Sequence, residues 1–134
     1  MAIIVYNRTK EDHSQEPGNY PCYRTKNGNI LGNPYTHIKD KKTLAMFVVK
    51  TRDEAIDRYE GYFDRMYKGN KPFKYIIDEM YEKYKSGEDV YLECYCKPER
   101  CHCDIIKEKL EKRLLKERIK EAKERRNEKD KGHA

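Results

Sequence analysis

Nothing in this chain of 134 residues is apolar for long enough to cross a bilayer: no run approaches the roughly 20 residues that a spanning helix needs. The opening "MAIIVY" is too short for a secretory leader and lacks its basic flank. These absences predict a cytoplasmic protein with no membrane partner. Thiols stay reduced in that compartment, and the five cysteines are an odd number with four bunched in "CYCKPERCHC" at 94–103. The pattern argues against a disulfide framework and for metal, chemistry or packing. Cys22 stands apart from the cluster and reads as a packing thiol.

A basic face is missing as well. The net charge is +6, but residues 107–134 carry 12 Lys and Arg against 7 Asp and Glu, so the body is nearly neutral. A nucleic-acid binder concentrates basic residues on the surface that meets the phosphates, and the body has no such run. Nucleic acid is therefore not an expected partner of the body. The chain is polar, with 37% hydrophobic and 40% charged residues. Its Ile, Leu, Val, Tyr and Phe nevertheless recur periodically, which predicts one folded domain and not a disordered chain.

"AIIVY" at 2–6 is a short β-branched run and reads as a buried first strand. Residues 7–42 hold most of the Gly, Pro and Asn, in "EPGNYP", "KNGN" and "LGNPYT", and read as a long functional loop. "TLAMFVVK" at 43–50 has the nearly continuous apolar character of a central strand covered on both faces. Thr51 with Glu54 is a capping-box pattern, and Ala55, Ile56, Tyr59, Phe63 and Met66 form one stripe at helical spacing. A second helix opens at Pro72 with Phe73, Ile76, Ile77, Met80 and Tyr84 on one face, and Gly87 closes it. "EDVYLECYC" alternates Val90, Leu92, Cys94 and Cys96 against Tyr91, Glu93 and Tyr95, as a strand does. A last helix starts near Cys101 with an apolar stripe at Ile105 or Ile106, Leu110, Leu114, Ile119 and Ala122.

Strands alternating with helices predict an α/β fold. Residues 1–113 are expected to form a single domain built on a small, open, mostly parallel, Rossmann-like sheet flanked by helices. Residues 114–134 read as a charged helical extension that frays into a disordered tail; its stripe would alternatively serve a homo-oligomer, or its charge a basic arm. Ligands of open α/β sheets bind beyond the carboxyl ends of the strands. The segments leaving the three strands are "NRTK" at 7–10, "KTRDE" at 50–54 and "CKPERCHC" at 96–103, which nominates Asn7 and Arg8 beside the cysteine motif.

That motif supports three readings. Zinc favours thiolate and imidazole ligands, but Cys101, His102 and Cys103 are consecutive and would diverge by about 100° per residue on a helix, so no metal is expected. A nucleophilic Cys101 in the first helical turn would have its thiolate favoured by the helix dipole and by His102, Lys97 and Arg100, with Asp104 a further candidate base or nucleophile. A ligand pocket would use the free N–H groups of the helix start, with Arg100 and His102 on phosphate oxygens and the small Cys96 allowing close approach. Against all three stands plain packing, with Cys94 filling the core and Cys101 capping it.

"LECYCKPERCHCDII" at 92–106 resembles the signature of the domain of unknown function 4326 family, whose pattern runs roughly L-x-C-W-C-x-P-x-x-C-H-G-D-x-L. "ILGNPY" at 30–35 is similar to that family's W-G-N-P-F element, and "TRDEAIDRYEGYF" to its S-R-E-E-A-I-x-x-Y helix. Order and spacing agree over residues 3–113. Cys94, Cys96, Pro98, Cys101, His102 and Asp104 match the signature, and Gly32, Asn33 and Pro34 match the loop. Cys103 stands where the pattern has glycine, and Tyr95 where it has tryptophan; Arg24 is aligned with an arginine of a G-R-P-S element whose flanks "CYRTK" lacks.

The resemblance implies a phage or bacterial protein, in the cytoplasm of the bacterium or infected host cell. It also implies a polar pocket between the GNP loop and the C-H turn for a small phosphorylated or nucleotide-like ligand. No cofactor is expected. Sequestration of a host nucleotide immune signal is the expected role, and a Cys/His-dependent hydrolase or transferase acting on such a ligand is the alternative.

Overall fold

The computed structural model describes residues 2–22, 30–36, 47–95 and 97–131. Three strands form the main sheet: β1 (Ile3–Asn7), β2 (Asn19–Pro21) and β5 (Val90–Cys94). A separate pair is made by β3 (Tyr35–Thr36) and β4 (Phe47–Val48). Helices α1 (Arg52–Gly69) and α2 (Lys71–Lys85) precede β5, and α3 (His102–Lys131) follows it. The main sheet has the order β1-β5-β2, with β5 central and both pairings parallel, from Ile3 opposite Val90 to Asn7 opposite Cys94 and from Asn19 opposite Tyr91 to Pro21 opposite Glu93. This is an α/β fold with a small open parallel sheet flanked by helices. No helix among the described residues is long and apolar enough to cross a membrane.

Local chemistry accounts for the helices. The Thr51 hydroxyl accepts from the Glu54 N–H (3.1 Å) and caps α1, as the Thr-x-x-Glu pattern requires. Asn70 closes α1 and also caps α2, where its side chain accepts from the Phe73 N–H (3.0 Å). Gly87 follows α2 with φ of 97°, a conformation that glycine adopts without a Cβ penalty. The apolar stripes of α1 and α2 put Tyr59, Phe63, Phe73, Ile77 and Met80 in one core with Val90 and Leu92 of β5 and Ile106, Leu110 and Leu114 of α3. Ile119 lies beyond that contact and is exposed.

Two strands differ from the sequence reading. Phe47 and Val48 are exposed at the edge of a two-residue pair with β3, so this part of the 43–50 run is no central strand; residues 43–46 lie outside the described residues. The centre is β5. Its alternation therefore does not divide core from solvent: Glu93 is as buried as Leu92 and accepts a hydrogen bond from the Tyr6 hydroxyl (2.9 Å), with the Arg8 guanidinium 3.4 Å away.

An acidic edge on α1 meets basic residues of the 100–113 segment. Arg100 pairs with Asp53 (3.2 Å) and Asp57 (2.9 Å), and Lys109 with Glu60 (3.2 Å) and Asp64 (3.0 Å). Such solvent-facing pairs add little stability singly, but in a row they fix the register of α3 against α1.

The buried tyrosines give the fold an alkaline limit. Burial raises the Tyr6 hydroxyl to about 12, assisted by its hydrogen bond to the Glu93 carboxylate. Burial likewise raises Tyr81 to about 12, with Glu117 accepting from its hydroxyl. An unfolded tyrosine ionises near pH 10. Folded-state values above the unfolded one contribute stability that is full below about pH 10 and is lost as pH rises toward 12. Tyrosinate absorbance and far-UV circular dichroism should therefore show the last tyrosines ionising together with unfolding. Ionisation of all 12 tyrosines near pH 10 with the helices intact would contradict this.

Candidate functional site

Because the main sheet is parallel throughout, β1, β2 and β5 all deliver their carboxyl ends to one edge, where Asn7, Cys22 and Cys94 stand. Asn7 acts there as a clamp. Its amide donates to the Lys97 carbonyl (2.8 Å) and the Tyr95 carbonyl (3.3 Å), and its Oδ1 accepts from the Thr9 N–H (2.9 Å) and hydroxyl (2.7 Å). Arg8 turns back to Glu93 and to Asp12 (3.7 Å). A cleft of about 190 Å³ opens beside them, lined by Val5, Tyr6, Asn7, Lys10, Glu11, Lys97 and Pro98.

The start of α3 is capped from within. The Cys101 N–H donates to the Asp104 carboxylate (3.0 Å), the Asp104 N–H donates to the Cys101 carbonyl (3.0 Å), and Lys97 pairs with Asp104 (2.7 Å). A carboxylate in the first turn also suits the helix dipole. The protein thus sets its own anion where the sequence reading looked for a ligand's. Arg100 is turned toward Asp53 and Asp57. Arg24 and Cys96 lie outside the described residues.

His102 is half-buried, edge-on to the Tyr59 ring (4.9 Å between centroids), with Nε2 on the Cys22 carbonyl. A carbonyl can only accept, so Nε2 carries the proton and Nδ1 presents its lone pair 3.6 Å from the Cys101 sulfur. Burial lowers the pKa of this imidazole, partly offset by the Cys22 carbonyl, and keeps it neutral. Around it lie four buried cysteines, Cys22, Cys94, Cys101 and Cys103, none of them in a disulfide. The Cys103 sulfur is 4.0 Å from His102 Nε2 and 4.0 Å from the Glu93 carbonyl. Its pKa is driven well up by burial and then by hydrogen bonds with Cys101, Cys22 and Cys94.

The expected divergence of Cys101, His102 and Cys103 does not occur: their donor atoms all lie within 4.8 Å of one another. Cys101 is the cap and lies outside the helix, which begins at His102, so the 100° helical step does not govern it. Cys22 stands beside this turn because β2 pairs with β5: the Cys22 N–H donates to the Glu93 carbonyl (2.9 Å) and its own carbonyl holds His102 Nε2. The only sequence signal for this was "NYP", three residues inside a polar stretch.

The Gly32-Asn33-Pro34 loop is tied to α1. Asn33 donates to the Ala55 carbonyl (3.0 Å) and accepts from the Tyr35 N–H (2.9 Å), while Tyr59 and Tyr62 donate to the carbonyls of Leu31 and Ile30 (both 2.8 Å). The Pro34 carbonyl accepts from the Phe47 N–H (2.9 Å), which holds Tyr35 and Phe47 in a stack at 5.4 Å. A hollow of about 650 Å³ lies there, lined by Tyr35, Phe47, Val48, Val49, Lys50, Glu54 and Arg58. Tyr59 bridges this loop and the C-H turn, with its hydroxyl on the Leu31 carbonyl and its ring edge-on to His102, so the two adjoin, but the Asn33 side chain is spent on α1 and on Tyr35.

Comparison with curated proteins gives no significant match, and neither does comparison with solved structures. A family model described as a domain of unknown function, DUF4326, matches residues 5–112, which takes in the end of β1, the other four strands, the GNP loop, α1, α2 and the cysteine turn. The chain is a member of the DUF4326 family.

Proposed function

We propose that the protein binds a small phosphorylated, nucleotide-like molecule in the 650 Å³ hollow at the carboxyl end of β4. The observation that carries this reading is the Tyr35–Phe47 stack, held by the Asn33 loop, with Lys50 and Arg58 at the same hollow. Phe47 is 52% exposed, so ring surface is left for a base to cover. The hollow falls within the roughly 300–1,000 Å³ typical of small-molecule sites, whereas the 190 Å³ cleft beside Asn7 has room for little more than a phosphate group. Lys50 and Arg58 supply the positive charge that phosphate oxygens need, Arg58 by exchanging its pairing with Glu54 (3.2 Å) for the ligand. Given the phage occurrence that the resemblance implies, the protein would sequester a nucleotide immune signal of the host.

Calorimetry against nucleotides, cyclic dinucleotides and ADP-ribose derivatives tests the reading. One class should bind, and Tyr35→Ala should weaken it by about tenfold or more, since stacking on an aromatic ring is worth about 1–3 kcal/mol. Silence across the whole panel would remove the proposal. The alternative is a hydrolase or transferase, favoured by the 3.6 Å approach of Cys101 to His102. It has to contend with a buried sulfur and with an Asp104 already engaged by Lys97 and the Cys101 N–H. Mass spectrometry of ligand recovered after long incubation decides between them: unchanged ligand rejects catalysis.

A further inference from the structure

We infer that Cys101, His102 and Cys103, completed by Cys22, form a binding site for one zinc-class divalent ion. The donor atoms of the first three residues converge within 4.8 Å. A tetrahedral ion with bonds of about 2.3 Å to sulfur and about 2.0 Å to nitrogen sets those donors about 3.5 Å apart. The Cys101 sulfur and His102 Nδ1 are already separated by 3.6 Å. The Cys103 sulfur, within 4.8 Å of both, closes on the ion by side-chain adjustment.

The orientation of His102 is a second, independent pointer. Its Nε2–H is committed to the Cys22 carbonyl, which leaves Nδ1 as the donor, on the side of the Cys101 sulfur; the Cys103 sulfur, 4.0 Å from Nε2, would swing toward Nδ1. Metal-ligating histidines are characteristically fixed in this way, with the other ring N–H on a backbone carbonyl. Cys22 enters through its backbone, since its carbonyl holds the imidazole; its buried thiol donates to the Tyr20 carbonyl (3.4 Å) and would turn from there to complete the site. Three thiolates and one imidazole make a tetrahedral donor set that suits zinc.

Packing alone is the competing account, because free cysteines are often buried. It explains one thiol in a core well, but it does not explain why thiols from two strands and a helix start meet around an oriented imidazole. On binding, the cysteine ligands release their protons to solvent, so affinity rises with pH.

Each sulfur of the site can be removed singly. That supplies the test. The full chain, purified under reducing conditions without chelator, should carry about one zinc per molecule by elemental mass spectrometry. With Co²⁺ in place of zinc, it should show intense tetrahedral d–d bands and sulfur-to-cobalt charge transfer. Cys103→Gly should abolish both signals while keeping the circular dichroism of the fold, and Cys22→Ser should weaken cobalt binding at least tenfold. Should a variant fail to fold, the wild-type chain still decides: its melting temperature should rise on adding zinc and fall on chelation. A wild-type chain that gives no thiolate-cobalt bands and no zinc-dependent shift overturns the inference, as does a folded Cys103→Gly variant with full metal content. Nucleotide calorimetry on the same samples reads the Tyr35 hollow separately, so failure of one proposal does not imply failure of the other.

Discussion

Tyr59→Ala is expected to destabilise the protein by about 4 kcal/mol, within the range for deleting a fully buried aromatic side chain. Tyr59 is 0% exposed, packs edge-on against His102, and donates its hydroxyl proton to the Leu31 carbonyl at 2.8 Å. Its removal would open a cavity between α1 and the cysteine turn, and would leave the 30–36 loop tied to α1 through Tyr62, Asn33 and the Arg65–Tyr35 hydrogen bond (3.2 Å). Domains of this size have total stabilities of about 5–15 kcal/mol, so the change would bring the chain close to unfolding at ordinary temperatures. Tyr59→Phe separates the two contributions, because it keeps the ring and should cost about 1 kcal/mol for the lost hydrogen bond. Urea unfolding followed by circular dichroism measures both. A Tyr59→Ala midpoint close to wild type would mean that α1 does not carry the loop.

The helices were legible because their signals are local. Thr51 and Glu54 mark one start, Pro72 another, and apolar residues three and four apart define faces that become the core. β1 was legible for the same reason, as a compact β-branched run. Elements that owe their existence to a distant partner were not. Asn19–Pro21 is a strand only because β5 lies beside it, and its three residues carry no alternation to read. Phe47 and Val48 sit in an apolar run that length and hydrophobicity assign to a sheet centre, yet they pair at an edge with β3. Burial of Glu93 was also hidden in the sequence, since its partners Tyr6 and Arg8 are more than 80 residues away. The cysteine motif stands out in the sequence, but its geometry does not, because Cys101 caps α3 instead of lying inside it. Cys22 carries no local sign of its place, because only the pairing of β2 with β5 brings it there.

Gly18→Ala should cost about 3 kcal/mol, at the upper end of what overpacking does. A Cβ on Gly18 would lie 2.3 Å from the Asp89 carbonyl oxygen and 3.3 Å from its carbon. Both atoms are backbone, so no side chain can swing away to relieve the clash, and one strand must move. The Tyr91 N–H donates to the Gly18 carbonyl (2.8 Å) at the point where β2 begins to pair with β5. Displacing Gly18 therefore loosens the whole three-residue pairing, including the Cys22 N–H to the Glu93 carbonyl, and draws Cys22 away from His102. Gly69→Ala is the matched control: no atom lies within 4 Å of the added Cβ, and the site is in a helix, where alanine stabilises by about 0.5–1 kcal/mol. The two substitutions add the same methyl group and should move the urea midpoint in opposite directions. If Gly18→Ala unfolds at the wild-type midpoint, β2 does not approach β5 this closely, and the basis for bringing Cys22 to the cysteine turn is lost.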